Sequence, residues 1–462
     1  MVIASREGGA CRDHGSIGEN KRMAVKPSIS DPEAGTHAVS VVGDEGGPGV
    51  TVPLLRPYGH EIQYRKQRQE SPQAGATFVR TCFNGLNALS GVGIVSIPYA
   101  LSSGGWLSLV VLFMLAAICC YTGLLLQRCM QRSPNIKTYP DIGEFAFGHK
   151  GRVAVSVFMY LELYLVAIGF LILQGDNLEN LFPGASIRIG MLNIAAKQLF
   201  VILAALVVLP TTWMRSMGLL AYVSAGGVLV SVIMVCSVLS AATVEVGFHE
   251  RGRLVNLSGL PTALGLYAFC YCGHAVFPTL CTSMKDSTKF SKVLIVCFVL
   301  CTINYGSMAI IGYLMYGDNL KSQVTLNLPI GNISSKIAIY TTVVNPFTKY
   351  ALMVTPIANA IEERLAEYHK SLKPCLTRTL LMLSMVTVAL AIPFFGYLMA
   401  FIGSLLGMVV SILLPCLCYL KIFKPHCIHV VELVTIFCIL MMGCVMAVTG
   451  TYTSLREIYH KL

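Results

Sequence analysis

The stretch NALSGVGIVSIPYAL, Asn87 to Leu101, lies in an apolar segment, Phe78 to Leu101, that is long enough to cross a bilayer. Yet it carries Gly91, Gly93 and Pro98, the residue types that most readily interrupt a helix. A span broken near its middle needs a reason, because unpaired backbone groups in hydrocarbon are costly. A lone Gly-x-Gly can serve close helix packing. A second interruption points elsewhere. The segment GLYAFCYCGHAVFPTL, Gly265 to Leu280, sets Gly273 and His274 at its centre and Pro278 one turn later. Two broken spans can meet at one place and leave backbone N–H and C=O groups free as ligands.

The rest of the chain supports a membrane setting. Of 462 residues, 55% are hydrophobic and 12% charged, and the mean hydropathy is +0.67. A soluble domain carries roughly 25% charged residues. Apolar stretches of about 20 residues recur along the chain, each a candidate membrane helix. The fold class is therefore an all-α polytopic membrane protein. Residues 1–76, rich in Gly, Pro, Ser and charge, read as a disordered cytosolic tail. No cleavable signal peptide precedes them, so the first span is expected to do its own targeting. The formal net charge of +11 sits mostly in loops beside spans, which fits orientation by the positive-inside rule and not nucleic-acid binding. The 17 cysteines fall mainly inside apolar spans without metal-ligand spacing and read as small core residues, so neither metal nor cofactor is expected.

Eleven spans are expected: 78–101, 106–127, 153–173, 193–210, 217–241, 259–282, 293–315, 336–360, 379–394, 397–420 and 430–450. From Thr379 to Leu420 no charge occurs in 42 residues, about 63 Å of helix. A bilayer core is about 30 Å thick, so this run reads as two spans turning at Pro393-Phe-Phe-Gly396. With the N-terminus cytosolic, 19 Lys and Arg flank the spans on the cytosolic side and 8 on the other. The bias leaves 451–462 as a short lumenal or extracellular C-terminus. Two sequons, Asn256-Leu-Ser258 and Asn332-Ile-Ser334, fall on the same outer side. The two interruptions are five spans apart, so their helices run in opposite directions, as in an inverted five-span repeat.

On these residues the chain resembles the amino acid/auxin permease family, most closely its plant vacuolar amino acid transporter branch. The resemblance rests on FNGLNALSGVGIVSIPYAL (83–101), GGWLSL (104–109), KTYPDIGEFAFG (137–148), ILQGDNL (172–178), YCGHAVFP (271–278), SMKD (283–286) and NPFTKYAL (345–352), and covers about residues 77–450. It implies a LeuT-like fold, with repeat one at about 77–241, repeat two at about 259–420 and an extra helix at about 430–450. It also implies amino acid transport at the vacuolar membrane, with the plasma membrane as alternative, commonly coupled to protons. Asn87, Ser90, Gly91, Val92 and Gly93 match the family's substrate-binding segment, and Tyr271, Cys272, Gly273 and His274 match the second one.

The physical reading runs beside this. If the outer half of the first span begins near Gly93, its free N–H groups and positive dipole end can receive a carboxylate. The carbonyls that end the inner half can then receive an ammonium. His274 is either a hydrogen-bonded structural residue or a proton carrier. Glu162 and Lys349 lie deep in spans three and eight, where a charge needs a partner or a wet cavity. Each is either a structural charge, ion-paired or satisfied by carbonyls, or a group that handles the coupling ion or proton, with Asn345 one turn from Lys349 on the same face. In the LeuT-like arrangement the eighth span packs against the first, which sets the Lys349 ammonium near the carbonyls before Gly91 and makes sodium dispensable. The Gly175-Asp176 and Gly317-Asp318 pairs read as loop chemistry at span ends, and Tyr139–Phe147 as an interfacial helix under the bundle. No G-x-x-x-x-G-K-[ST], H-E-x-x-H or G-x-S-x-G motif occurs, which argues against an ATP-driven pump or a membrane hydrolase. The partners expected are an amino acid, protons and the lipid bilayer, with no nucleic acid. An amino acid receptor signalling through its cytosolic tail is the alternative function.

Overall fold

The computed structural model describes residues 75–461 except 190–191, 214–219, 249–251, 369–373 and 393. Of the tail expected at 1–76, residues 1–74 lie outside the described residues, as does Pro393 of the expected turn. Ala76 is not disordered but hydrogen-bonded to the segment that ends the second half of the sixth span.

Each expected span coincides with helix. The first is split into α1 (Phe78–Leu89) and α2 (Ile97–Gly104), joined by a 3-10 turn at Val92–Val95. Then come α3 (Ser108–Gln131), α4 (Tyr139–Leu181), α5 (Ala196–Trp213) and α6 (Leu220–Ser240). The sixth span is split into α7 (Leu260–Cys270) and α8 (Phe277–Ser283). They are followed by α9 (Phe290–Tyr316), α10 (Ile333–Tyr368), α11 (Pro374–Ala391), α12 (Phe395–Phe401), α13 (Leu414–Phe423) and α14 (Val430–Lys461). Among the described residues, eight helices are long and apolar enough to cross a membrane. The two split spans and α10 are not among them. Large apolar side chains such as Val110, Leu206, Val207, Leu383, Met441 and Val448 are exposed on the outside of the bundle, as a lipid-facing surface requires.

Three details depart from the sequence reading. A short antiparallel ribbon, β1 (Ile187–Ile189) with β2 (Leu192–Ile194), interrupts the otherwise helical chain before α5. Helix α14 continues through the residues expected to form a short terminal tail. Gly175-Asp176 lies inside α4 and not in a loop, because the helix runs on to Leu181. There Asp176 pairs with Lys197 and accepts from Gln323 Nε2 at 2.8 Å, while Asn177 donates to Gln323 Oε1 at 2.6 Å. Burying these polar groups at a helix end is tolerable because each finds a partner.

Helix α4 is two helices in one run. Thr138 and Asp141 form a reciprocal capping box, which starts the short helix expected at Tyr139–Phe147. Gly148, at φ 68° and ψ −159°, then turns the chain in a way that favours glycine. Tyr139 is buried and donates to the Val410 carbonyl at 2.6 Å, which fastens the short helix beneath the segment between α12 and α13. That segment is wound in wide π turns at Ile402–Gly407 and Val409–Leu413. It packs on α7, where a Cβ at Gly403 would lie 1.9 Å from the Gly265 carbonyl oxygen. The two backbones touch, and no side chain fits between them.

The broken first span sits at the centre of the bundle. Helix α1 packs on α6 and α9, α2 on α7 and α9, and the 3-10 turn on α10. Just before α1, Ala76 pairs with Met284, just after α8. Ala76 N–H donates to Ser283 O at 2.8 Å, and Lys285 N–H donates to Ala76 O at 3.1 Å.

Candidate functional site

The first break is a sequence of specific turns. Ser90 has φ −71° and ψ 63°, and Gly91 N–H reaches back to Leu89 O at 2.6 Å. This is an inverse γ-turn, which stops α1 and projects the Ser90 carbonyl sideways. Gly91 is extended, at φ −77° and ψ −169°. The N–H groups of Val92 and Gly93 fall in the first turn that follows, where backbone donors have no intrahelical acceptor. Regular helix resumes only at Ile97, later than the position near Gly93 expected from sequence. Pro98 opens that helix, where its missing N–H costs little.

The second break runs from Tyr271 to Val276. Tyr271 N–H and Cys272 N–H close the end of α7 onto Ala268 O (3.1 Å) and Phe269 O (3.3 Å). Pro278 stands in the first turn of α8, the counterpart of Pro98 in α2. One device is thus repeated in both broken helices, with a proline in the first turn after each break.

Between the breaks lies a narrow cavity of about 60 Å³. Gly91, Val92 and Gly93 line it from the first break, Cys272 and Gly273 from the second, and Glu162 and Lys349 from α4 and α10. Leu163, Val166, Phe170, Phe269 and Met353 supply apolar wall. The cavity thus combines backbone donors, one cation, one carboxylate and a greasy lining, which suits a small zwitterion.

Lys349 is 1% exposed, and its Nζ donates to the Ser90 carbonyl. The contact is the one expected from the sequence, between the eighth span and the carbonyl before Gly91. Glu162 is 5% exposed; it lies beside the Cys272 thiol, and its Oε1 has no protein donor. Although both charges reach the cavity, they form no ion pair, so the fixed-pair account of their burial does not hold.

The other sequence-named residues are distributed around this core. Ser90 contributes its carbonyl, while its Oγ is buried without a partner. Asn345 is buried one turn before Lys349, and its Oδ1 also lacks a donor. Asn87 packs its Oδ1 against α6, 2.0 Å from where a Cβ at Gly227 would stand. His274 turns away from the cavity; its Nε2 contacts Thr122 Oγ1 and Cys119 O on α3, each at 3.0 Å. Tyr271 hydrogen-bonds Thr302 at 3.1 Å and stacks on Phe298. These three residues brace the breaks from outside and do not line the cavity.

The sequence reading did not single out Tyr305. It lies on α9, fully buried, with its hydroxyl 2.5 Å from Leu89 O and 3.2 Å from Cys270 O. Tyr305 and Lys349 therefore hold the Leu89 and Ser90 carbonyls, the groups expected to receive a substrate ammonium. Glu162 Oε1 remains as an acceptor in the cavity wall.

Comparison with known proteins agrees with this geometry. The family described as Transmembrane amino acid transporter protein matches residues 74–456. The chain is 52% identical over 393 residues to Amino acid transporter AVT1I of Arabidopsis thaliana, covering 84% of this chain and 97% of that protein. It is 49% identical over 393 residues to Amino acid transporter AVT1J of the same plant, covering 84% and 93%. It is 46% identical over 449 residues to Amino acid transporter AVT1B, also of that plant, covering 96% and 81%. The family is one of transporters and not of enzymes. With its two broken helices meeting at a cavity fit for a zwitterion, the chain belongs to the transmembrane amino acid transporter protein family.

Proposed function

We propose that this chain is a proton-coupled secondary transporter that moves amino acids across the vacuolar membrane by alternating access around its two broken helices. The observation that carries the reading is the meeting of both breaks at one cavity, with Lys349 on the carbonyl before Gly91. The substrate carboxylate is received by the N–H groups of Val92 and Gly93 at the start of the turn. Its ammonium faces Glu162, whose free oxygen has no protein donor. The cavity is narrow, so admission of substrate is expected to need movement of the half-helices. The vacuolar location rests on the family branch alone. Uptake of labelled amino acid into proteoliposomes is expected to rise severalfold on imposing a pH gradient and to collapse with a protonophore. Substrate binding without flux would instead support a receptor, and flux indifferent to pH would remove the coupling.

The topology belongs to the same proposal: eleven spans, as two inverted five-span repeats and one more helix, with the N-terminus cytosolic. Helix at every expected span and the 19 to 8 charge asymmetry support it. Epitope tags at the two termini are expected to be reached from opposite sides of the membrane. Tags reached from one side only would overturn the count.

A further inference from the structure

The hydroxyl of Tyr305 stands between two carbonyls that belong to different broken helices. Leu89 O ends α1, and Cys270 O ends α7. A phenol carries one proton, so it donates to one carbonyl at a time. Leu89 O is the nearer acceptor, and Cys270 O is also within hydrogen-bond reach. The ring is held independently of the hydroxyl. It is fully buried on α9 and meets Tyr271 edge-on at 5.6 Å between centroids.

The two carbonyls cannot keep this spacing through a transport cycle. On the topology proposed above, α1 is the inner half of the first span and α7 the outer half of the sixth. Exposing the cavity to either side must move an inner half relative to an outer half. A buried hydroxyl left without an acceptor would cost about 1–3 kcal/mol, raising the barrier to that motion.

We propose that Tyr305 is a positioning residue that acts as a two-way latch. Its proton holds Leu89 O while the site is closed and passes to Cys270 O when α1 moves off. The exchange involves a hydroxyl rotation and no bond to carbon, so no co-reactant is needed. Lys349 holds the neighbouring Ser90 carbonyl. Helix α1 is thus fastened at two successive carbonyls by two different helices, α9 and α10. This inference rests on the transport reading for the motion but not for its test.

The test is Tyr305→Phe, which keeps the ring and removes the proton. The readout is alkylation of the native Cys82, buried in α1 and packed at the Cys297 thiol of α9, followed by peptide mass spectrometry without substrate. With reagent in excess, so that opening limits labelling, Cys82 is expected to react severalfold faster in Tyr305→Phe, because the bond to Leu89 O no longer has to break before the one to Cys270 O forms. Cys301 and Cys416, buried in α9 and α13, should stay protected. Initial uptake rate is expected to fall severalfold. Wild-type protection of Cys82 overturns the latch, whatever the uptake rate. Equal exposure of Cys301 and Cys416 also overturns it, because the hydroxyl then serves general packing. If the wild-type protein moved no amino acid at all, the transport reading would fail while the labelling still decided the latch.

Discussion

Lys349→Met is expected to abolish proton-driven accumulation of amino acid while leaving the protein folded in the membrane. Methionine keeps most of the side-chain length but donates nothing, so the buried Ser90 carbonyl loses its ammonium. Leaving such an acceptor unpaired costs about 1–3 kcal/mol, a factor of roughly 5–150 in the population of the closed state. Lys349→Arg should not rescue, because a planar guanidinium needs more room than a compact ammonium. On the proposed coupling, the fully buried amine is a candidate to carry the proton, as is Glu162, which lines the same cavity and also has no ion-pair partner. Accumulation against a gradient should therefore fall by more than tenfold, with exchange of internal for external substrate reduced less. Rates should be the same in sodium and in choline buffers, since the ammonium occupies the seam between the first and eighth spans. Sodium-dependent uptake by the native protein would remove that premise. Normal accumulation by Lys349→Met would reduce Lys349 to a structural charge.

Gly93→Leu is expected to abolish substrate binding, and the geometry separates it from Gly91→Leu by mechanism. A Cβ at Gly93 would stand 2.6 Å from Cys270 Sγ and 3.3 Å from the Phe269 ring, so a side chain there must displace the Cys270 thiol at the end of α7 and crowd Phe269. At Gly91 the nearest atom to such a Cβ is 3.8 Å away, ordinary contact distance, and the space beyond it is the cavity itself. Gly91→Ala should therefore be tolerated with weaker binding, while Gly91→Leu fills the site. Gly93→Ala should weaken binding at least tenfold. Adding Cys270→Ala removes the nearest obstructing atom and should restore part of the loss, a coupling visible in a double-mutant cycle. Wild-type affinity in folded Gly93→Leu would refute the placement of the site. Failure of Cys270→Ala to help would place the strain on Phe269 instead.

What could be read in advance, and what could not, follows from the kind of constraint each residue feels. The breaks were legible because Gly91, Gly93, Gly273 and Pro278 conflict with an uninterrupted apolar helix whatever surrounds them. The Lys349 contact was legible because a charge that deep must find an acceptor, and the free carbonyls of a broken helix are nearby acceptors. Side-chain direction was not legible. Successive helical residues point about 100° apart, so a small change of rotation decides between cavity and flank. Gly273 faces the cavity, yet His274 beside it reaches α3, and Asn87 packs on Gly227. Tyr305 gave no local signal, because an aromatic residue in an apolar helix reads as core until its hydroxyl is seen between two helix ends. The 187–194 ribbon and the continuation of α14 to Lys461 likewise depend on neighbours and not on periodicity.

The pairing of Ala76 with Ser283 and Lys285 bears on cooperativity. It ties the start of α1 to the end of α8 through two backbone hydrogen bonds made by one residue. At about 1 kcal/mol net for each, the pair represents a coupling free energy of about 2 kcal/mol, roughly a thirtyfold preference for the two half-helices to open together. Because both bonds are made by amide groups, almost any side chain at position 76 would preserve the coupling. Proline would not, since it lacks the N–H that reaches Ser283. On the proposed motion, the unit that swings is then a pair of helices from distant parts of the chain, Phe78–Leu89 and Phe277–Ser283, joined at one point, and its synchrony is written in backbone geometry alone.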